Sequence, residues 1–180
     1  WVIKPEYDFA GHFSEGLACV AKGGKYGYID KKNKVIIPLQ FNAGDEFSEG
    51  MARVMKDFKW GYIDKKGKFV IEPQFQLCYE FYGGYAAAQK KGKWGLIDKT
   101  GKFVIEPQFQ DITGFGDGLF GFQKSYADKA GFMDAAGKVV ITGDYSRVYK
   151  FSEGLAAVRT GDLWGFINPK GEMIIKQQFT

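Results

Sequence analysis

Three features of the 180-residue sequence predict an all-β fold made of five tandem three-stranded antiparallel meanders. The first is a near-verbatim internal repeat. "KWGYIDKKGKFVIEPQFQ", Lys59 to Gln76, returns as "KWGLIDKTGKFVIEPQFQ", Lys93 to Gln110, differing only at Tyr62/Leu96 and Lys66/Thr100. The second is the period. The glycine after the aromatic recurs at Gly27, Gly61, Gly95, Gly131 and Gly165, with spacings of 34, 34, 36 and 34. The phenylalanine of "FSEG" recurs at Phe13, Phe47, Phe81, Phe115 and Phe151, with spacings of 34, 34, 34 and 36. A fixed period of this length marks supersecondary units that bury their apolar faces on one another. The third is composition. Aromatics at 17%, 25 glycines and only five prolines favour short strands and tight turns. No stretch holds a 3.6-residue apolar period over ten residues, although linkers of the 76–81 type have room for a helical turn.

The elements follow in chain order. "VIKPEY", Val2 to Tyr7, matches "VIEPQF", Val70 to Phe75, and reads as the tail of a preceding repeat. The chain 1–180 is then one repeat domain: a tail at 1–8 and repeats at about 9–42, 43–76, 77–110, 111–146 and 147–180. In each repeat a first strand is expected at 16–20 and its counterparts 50–54, 84–88, 118–122 and 154–158. A second falls at 60–64 and equivalents, and a third at 69–71 and equivalents. Glycine-containing turns such as "KKGK", Lys65 to Lys68, join them. In the second strand the aromatics at 60 and 62 share one face, and Gly61 and Ile63 share the other. In the third strand 69, 70 and 71 are all apolar. Two greasy faces predict sheets covered on both sides, stacked face to face in a propeller-like manner. An open β-spiral or a solenoid is the alternative. The glycine of the second strand is expected to admit a closely approaching backbone or ring.

The repeating pattern F-S-E-G-L-A-x-V, then K-W-G-Y-I-D-x-x-G-K, then V-I-x-P-x-F resembles the bacterial WG-repeat (KWG-repeat) family over the whole chain. The resemblance implies a repeat array of bacterial origin and no particular activity. The fourth repeat departs most: Ala130 replaces the tryptophan, Gly121 and Phe122 disturb the first strand, and two extra residues fall between Phe120 and Gly131, around "KSYADK". The first repeat carries Tyr26 in place of tryptophan.

Repetition also sorts the chemistry, because an active site occurs once. Asp30, Asp64, Asp98 and Asp134 recur at one position, with Asn168 in the fifth repeat. An acceptor that tolerates loss of charge reads as an Asx-type turn. Glu15, Glu49, Asp117 and Glu153 of "FSEG" read the same way and are absent at Gly83. His12, the single histidine, falls in a linker with no nucleophile beside it and reads as a surface residue. Cys19 and Cys78 are too few for a disulfide scaffold or a structural zinc site. "GGKYG", Gly23 to Gly27, lacks phosphate-loop spacing, and "DKKNK", Asp30 to Lys34, places lysines where calcium ligands belong. No catalytic residue, cofactor or metal is expected.

Net charge is +4, with 21 acidic residues among 25 basic ones, so nucleic acid is not expected as a partner. No apolar run approaches a membrane span. The chain starts at Trp1, so export after loss of a leader stays open. Two surface features remain. Lysines recur before the aromatic (Lys25, Lys59, Lys93, Lys129) and after the second turn (Lys34, Lys68, Lys102, Lys138). They read as protection of strand edges, or as a rim for a polyanion. The second feature is the set of aromatic and Arg residues that break the repeat: Tyr79, Tyr82, Tyr126, Arg147 and Tyr149. Such side chains on linkers suit binding anchors. The expectation is a non-catalytic module that binds a protein or carbohydrate partner through them, with an architectural spacer or a polyanion binder as the alternatives.

Overall fold

The structure, a computed structural model, describes residues 6–180. Residues 1–5, which hold most of the expected opening tail, lie outside the described residues. The described chain is all β and forms five four-stranded antiparallel sheets. The first holds β1 (Phe9–Ser14), β2 (Leu17–Lys22), β3 (Lys25–Ile29) and β4 (Val35–Phe41). The second holds β5 (Ala43–Gly44), β6 (Ala52–Lys56), β7 (Lys59–Ile63) and β8 (Phe69–Phe75). The third holds β9 (Leu77–Cys78), β10 (Tyr85–Lys90), β11 (Lys93–Asp98) and β12 (Phe103–Phe109). The fourth holds β13 (Asp111–Gly116), β14 (Leu119–Gln123), β15 (Ala130–Met133) and β16 (Val139–Tyr145). The fifth holds β17 (Arg147–Val148), β18 (Ala156–Thr160), β19 (Leu163–Ile167) and β20 (Met173–Phe179). Neighbours in each sheet are neighbours in the chain, so among the described residues strands do not pair between repeats as a solenoid would require. The chain falls into two compact bodies: one runs to Gly84 and includes Lys99–Gly101, the other is Tyr85–Asp98 with Lys102–Thr180.

The sheets have four strands, not three. The linkers, including the stretch with room for a helical turn, supply the extra one. In three sheets it is two residues long, too short to carry any periodicity. Its flanking backbone still needs partners. Asn42, Gln110 and Ser146 each donate their N–H at 2.8 Å to a carbonyl of the strand that follows, those of Met55, Gln123 and Arg159. Gly121 and Phe122 lie within β14, which pairs regularly with β15; against β13 the register shifts between Ile112 and Phe115, opposite Gly121.

The WG and VIEPQF signatures explain each other. Trp60 pairs with Phe75 and Tyr62 with Ile71, so Gly61 alone opposes Glu72, Pro73 and Gln74. Pro73 sits in that bulge, where a missing N–H costs no ladder bond. The bulged backbone presses on the glycine: a Cβ on Gly61 would lie 2.6 Å from the Ile71 carbonyl oxygen and 2.7 Å from the Pro73 nitrogen. The close approach expected of this glycine therefore comes from its own sheet.

The third strand is not buried on both faces. Ile71 and Phe75 are buried while Val70 is 46% exposed, and Val104 and Val140 are exposed at the same position. As the last strand of its sheet it alternates, and its valines reflect strand propensity more than burial. The second strand is buried on both faces, as Gly61, Tyr62 and Ile63 show. A core cluster joins Leu17, Tyr28 and Phe41 of the first sheet to Phe47, Ala52 and Val54 of the second repeat. In the other body a matching cluster joins Phe132 and Ile141 to Phe151, Ala156 and Val158.

The recurring aspartate shapes the turn as its Asn168 variant implied. Asp64 Oδ1 accepts from the N–H groups of Lys66 and Lys68, both at 2.9 Å. Asn168 Oδ1 accepts from Lys170 and Glu172, both at 3.0 Å. Asp64→Asn is expected to change stability by less than about 0.5 kcal/mol. Asp64→Ala, which removes the acceptor, should cost about 1 kcal/mol or more in urea unfolding.

The "FSEG" acids reach further than their own turn. Glu15 and Gly16 both hold positive φ, 50° and 91°, as a two-residue hairpin turn of this twist needs. The carboxylate accepts from Gly50 N–H at 3.1 Å and pairs with Lys65 Nζ at 2.9 Å, both in the next repeat. Glu49 does the same with Gly84 and Lys99 at 3.0 Å each. Asp117 accepts from Gly154 at 2.8 Å. The Lys65 contact holds the Glu15 carboxyl below its ordinary value, against a smaller rise from burial. A depressed folded value gives stability that is complete above the unfolded carboxylate range, about pH 4.3, and is lost as pH falls through the folded value. Glu15→Gln should therefore flatten the acid limb of stability below about pH 5, read as thermal midpoint against pH.

Candidate functional site

In the fifth repeat, the Tyr149 ring stacks on Trp164, with centroids 5.1 Å apart and planes at 10°. The equivalent positions of the fourth repeat are Thr113 and Ala130. Two rings are thus replaced by a hydroxyl and a methyl. At that place the second body holds a cavity of about 550 Å³. It is lined in pairs by equivalent positions of successive repeats: Gln89 and Gln123, Trp94 and Ala130, Gln110 and Ser146, Asp111 and Arg147, Thr113 and Tyr149. Tyr126, from the two-residue insertion, lines it too and is 82% exposed. Phe122 adds a wall, with its ring 5.3 Å from that of Phe109. The absence of a side chain on Gly121 makes room for Thr113, whose hydroxyl a Cβ there would meet.

Three of the five residues singled out in the sequence, Tyr126, Arg147 and Tyr149, meet in this cavity. Tyr149 is 54% exposed, and Arg147, in strand β17, is exposed. The other two lie in the other body. Tyr79 is half-buried and its carbonyl accepts from the Tyr62 hydroxyl at 2.6 Å. Tyr82 borders a second cavity, about 440 Å³, with Glu15, Asp45, Glu46 and Arg53.

The polar lining of the fourth-repeat cavity is fixed by its neighbours. Gln123 Nε2 donates to the Asp128 carbonyl at 3.0 Å, which ties the insertion to β14. Lys93 Nζ donates to Gln110 Oε1 at 3.2 Å. Burial pushes the Asp111 carboxyl up; a backbone N–H and the Arg147 guanidinium pull it back in part. In the second cavity, by contrast, the charged groups pair with one another. Arg53 Nε meets Asp45 at 2.6 Å, with the guanidinium 5.0 Å from the Trp60 centroid. Glu46 meets His12 Nδ1 at 3.0 Å. His12 is exposed as expected, but on strand β1.

Both cysteines are buried, Cys19 on β2 and Cys78 on β9. Burial pushes each thiol up to about 12, so both stay protonated at neutral pH. Among the described residues, no three or more His, Cys, Asp or Glu side chains gather as metal ligands.

Sequence reasoning missed Gln89, Gln110, Asp111 and Gln123. Their signal was available: Asp111 and Arg147 hold one repeat position with opposite charges, and Gln89 and Gln123 share another. It also missed Phe58. Asp57 and Phe58 replace the glycines of the equivalent hairpin "KGGK". Phe58 has φ of 60° and is 86% exposed, a strained conformation for a bulky residue.

Five like sheets, broken in pattern at one cleft, define a β-repeat module. The chain belongs to the WG containing repeat family, whose model matches residues 1–26, 26–60, 60–94, 94–126, 131–164 and 164–180. The gap after residue 126 falls in the insertion and ends at Ala130. Comparison with curated proteins finds no match. Among solved structures the fold is similar to streptogramin B lyase, at 16% identity over 96% of this chain and 68% of that one, with a TM-score of 0.54. It is similar to Kluyveromyces lactis Hsv2, at 9% identity over 91% of this chain and 59% of that one, with a TM-score of 0.60. It is also similar to the extracellular domain of the hybrid two component system BT3049 from B. thetaiotaomicron, at 15% identity over 89% of this chain and 26% of that one, with a TM-score of 0.51. The chain thus spans less than two thirds of the Hsv2 chain. Identities this low speak to fold alone.

Proposed function

We propose that this chain is a non-catalytic interaction module in which WG repeats, stacked face to face in a propeller-like array, form a frame for one binding cleft in the fourth repeat. One observation carries the reading. Ala130 for Trp and the insertion bearing Tyr126 are departures of the fourth repeat, and both line the same cavity beside Thr113, at a position where the third and fifth repeats carry Tyr. Residues that repeat five times serve turns and sheet contacts; a particular partner needs a surface that occurs once. The cavity volume falls within the range of sites that bind small ligands or a portion of a larger one.

The test is a binding screen of oligosaccharides, peptides and nucleic acids at low and high salt. Binding that survives high salt and is lost in Tyr126→Ala or Tyr149→Ala supports the cleft. Binding lost only in Lys59→Ala or Lys68→Ala, with steep salt dependence, would replace it by a polyanion site on the repeated lysines. Binding to none of the probes would leave an architectural spacer.

A further inference from the structure

We infer that the ligand of the fourth-repeat cleft is a neutral oligosaccharide, held between its rings and its paired amides. The inference rests on reading that cleft as the binding site. Trp94 and Phe122 give it apolar walls, and exposed Tyr126 and Tyr149 stand at its lining. Rings of this kind present flat apolar faces with a polar tip, which match the C–H face of a pyranose.

The amides are committed in opposite senses. Gln110 has Lys93 on its carbonyl oxygen, so its NH₂ is the group it offers. Gln123 has its NH₂ on the Asp128 carbonyl, so its oxygen is the group it offers. A sugar hydroxyl both donates and accepts, and a lining of fixed donors beside fixed acceptors suits adjacent hydroxyls. Charge separates the classes further. The lining carries one acid, Asp111, and one base, Arg147. Their charges cancel, so the cleft does not select a polyanion, which would need a surplus of cations. Asp111 and Arg147 remain strong acceptor and donor for a neutral polar ligand.

Ala130→Trp is the decisive variant, because it fills the cleft with the side chain that Trp60, Trp94 and Trp164 place at the same repeat position. Wild type, Ala130→Trp and Tyr149→Ala are titrated by calorimetry with cellohexaose, xylohexaose, mannohexaose and chitohexaose. Oligogalacturonate, a single-stranded oligonucleotide and an arrayed peptide set serve as comparators. The expected result is that at least one neutral hexasaccharide binds wild type with affinity unchanged by salt. That affinity falls by about tenfold or more in both variants. Circular dichroism melts check that the variants fold, and Tyr149→Ala carries the test if Ala130→Trp does not. Binding of a comparator instead of the sugars, lost in the same variants, overturns the ligand class and keeps the cleft. Sugar binding unchanged in both variants overturns the cleft. No binding by any probe overturns both.

Discussion

Phe47→Ala is expected to lower stability by about 3–5 kcal/mol, the usual cost of deleting a buried phenyl ring. Phe47 is 2% exposed, and its ring meets that of Tyr28 edge-on with centroids 5.0 Å apart. The site has little freedom to collapse around the loss. The Tyr28 hydroxyl is bonded to the Asp45 carbonyl at 2.7 Å, and Ser14 Oγ is bonded to the Phe47 carbonyl at 2.6 Å. A cavity would therefore persist where the second repeat packs on the first sheet. Phe13 is the natural control. It holds the same repeat position but is 41% exposed, so Phe13→Ala should cost no more than about 1 kcal/mol. Urea unfolding of both variants gives the comparison. Equal losses would mean that the repeated phenylalanine stabilises its own hairpin and does not join successive repeats.

Gly61→Val is the other large effect. The added Cβ would sit 2.6 Å from one backbone atom and 2.7 Å from another, and backbone in a paired strand has no rotamer to change. The cost should lie at or above the upper end of overpacking, about 3 kcal/mol. In a chain of this size that is a fall of about 6–12 °C in thermal midpoint. An unchanged midpoint would sink the account of the bulge, and with it the reason that tryptophan is followed by glycine in each of the repeats that keep the pair.

The parts of this fold that repeat are legible in the amino-acid sequence. The Asx-type turn can be read because Asn168 stands where four aspartates stand, and an acceptor survives that exchange while a charge does not. The first strand of the sheet cannot be read, because Ala43–Gly44 or Leu77–Cys78 is too short to alternate. Val70 misleads for a different reason: an apolar residue on the last strand of a sheet follows strand propensity and stays in solvent. The cleft is half legible. Ala130 and Tyr126 stand out as breaks in the pattern, and Arg147 and Tyr149 as aromatic or basic linker residues. Asp111 and the glutamines belong to no motif. They line one cavity only because consecutive sheets bring equivalent positions of neighbouring repeats together, and that relation exists in space and not along the chain.

The central claim is that the fourth repeat, which lacks the two stacked rings of the fifth, uses that space as a binding site. Restoring both, as Thr113→Tyr with Ala130→Trp, and measuring thermal midpoint and ligand binding on the same protein tests it most directly. The account predicts a midpoint equal to or above wild type, because the Tyr149–Trp164 stack would be reproduced, together with loss of binding. A double variant that still binds, or that folds normally but unfolds at a clearly lower temperature, would contradict it.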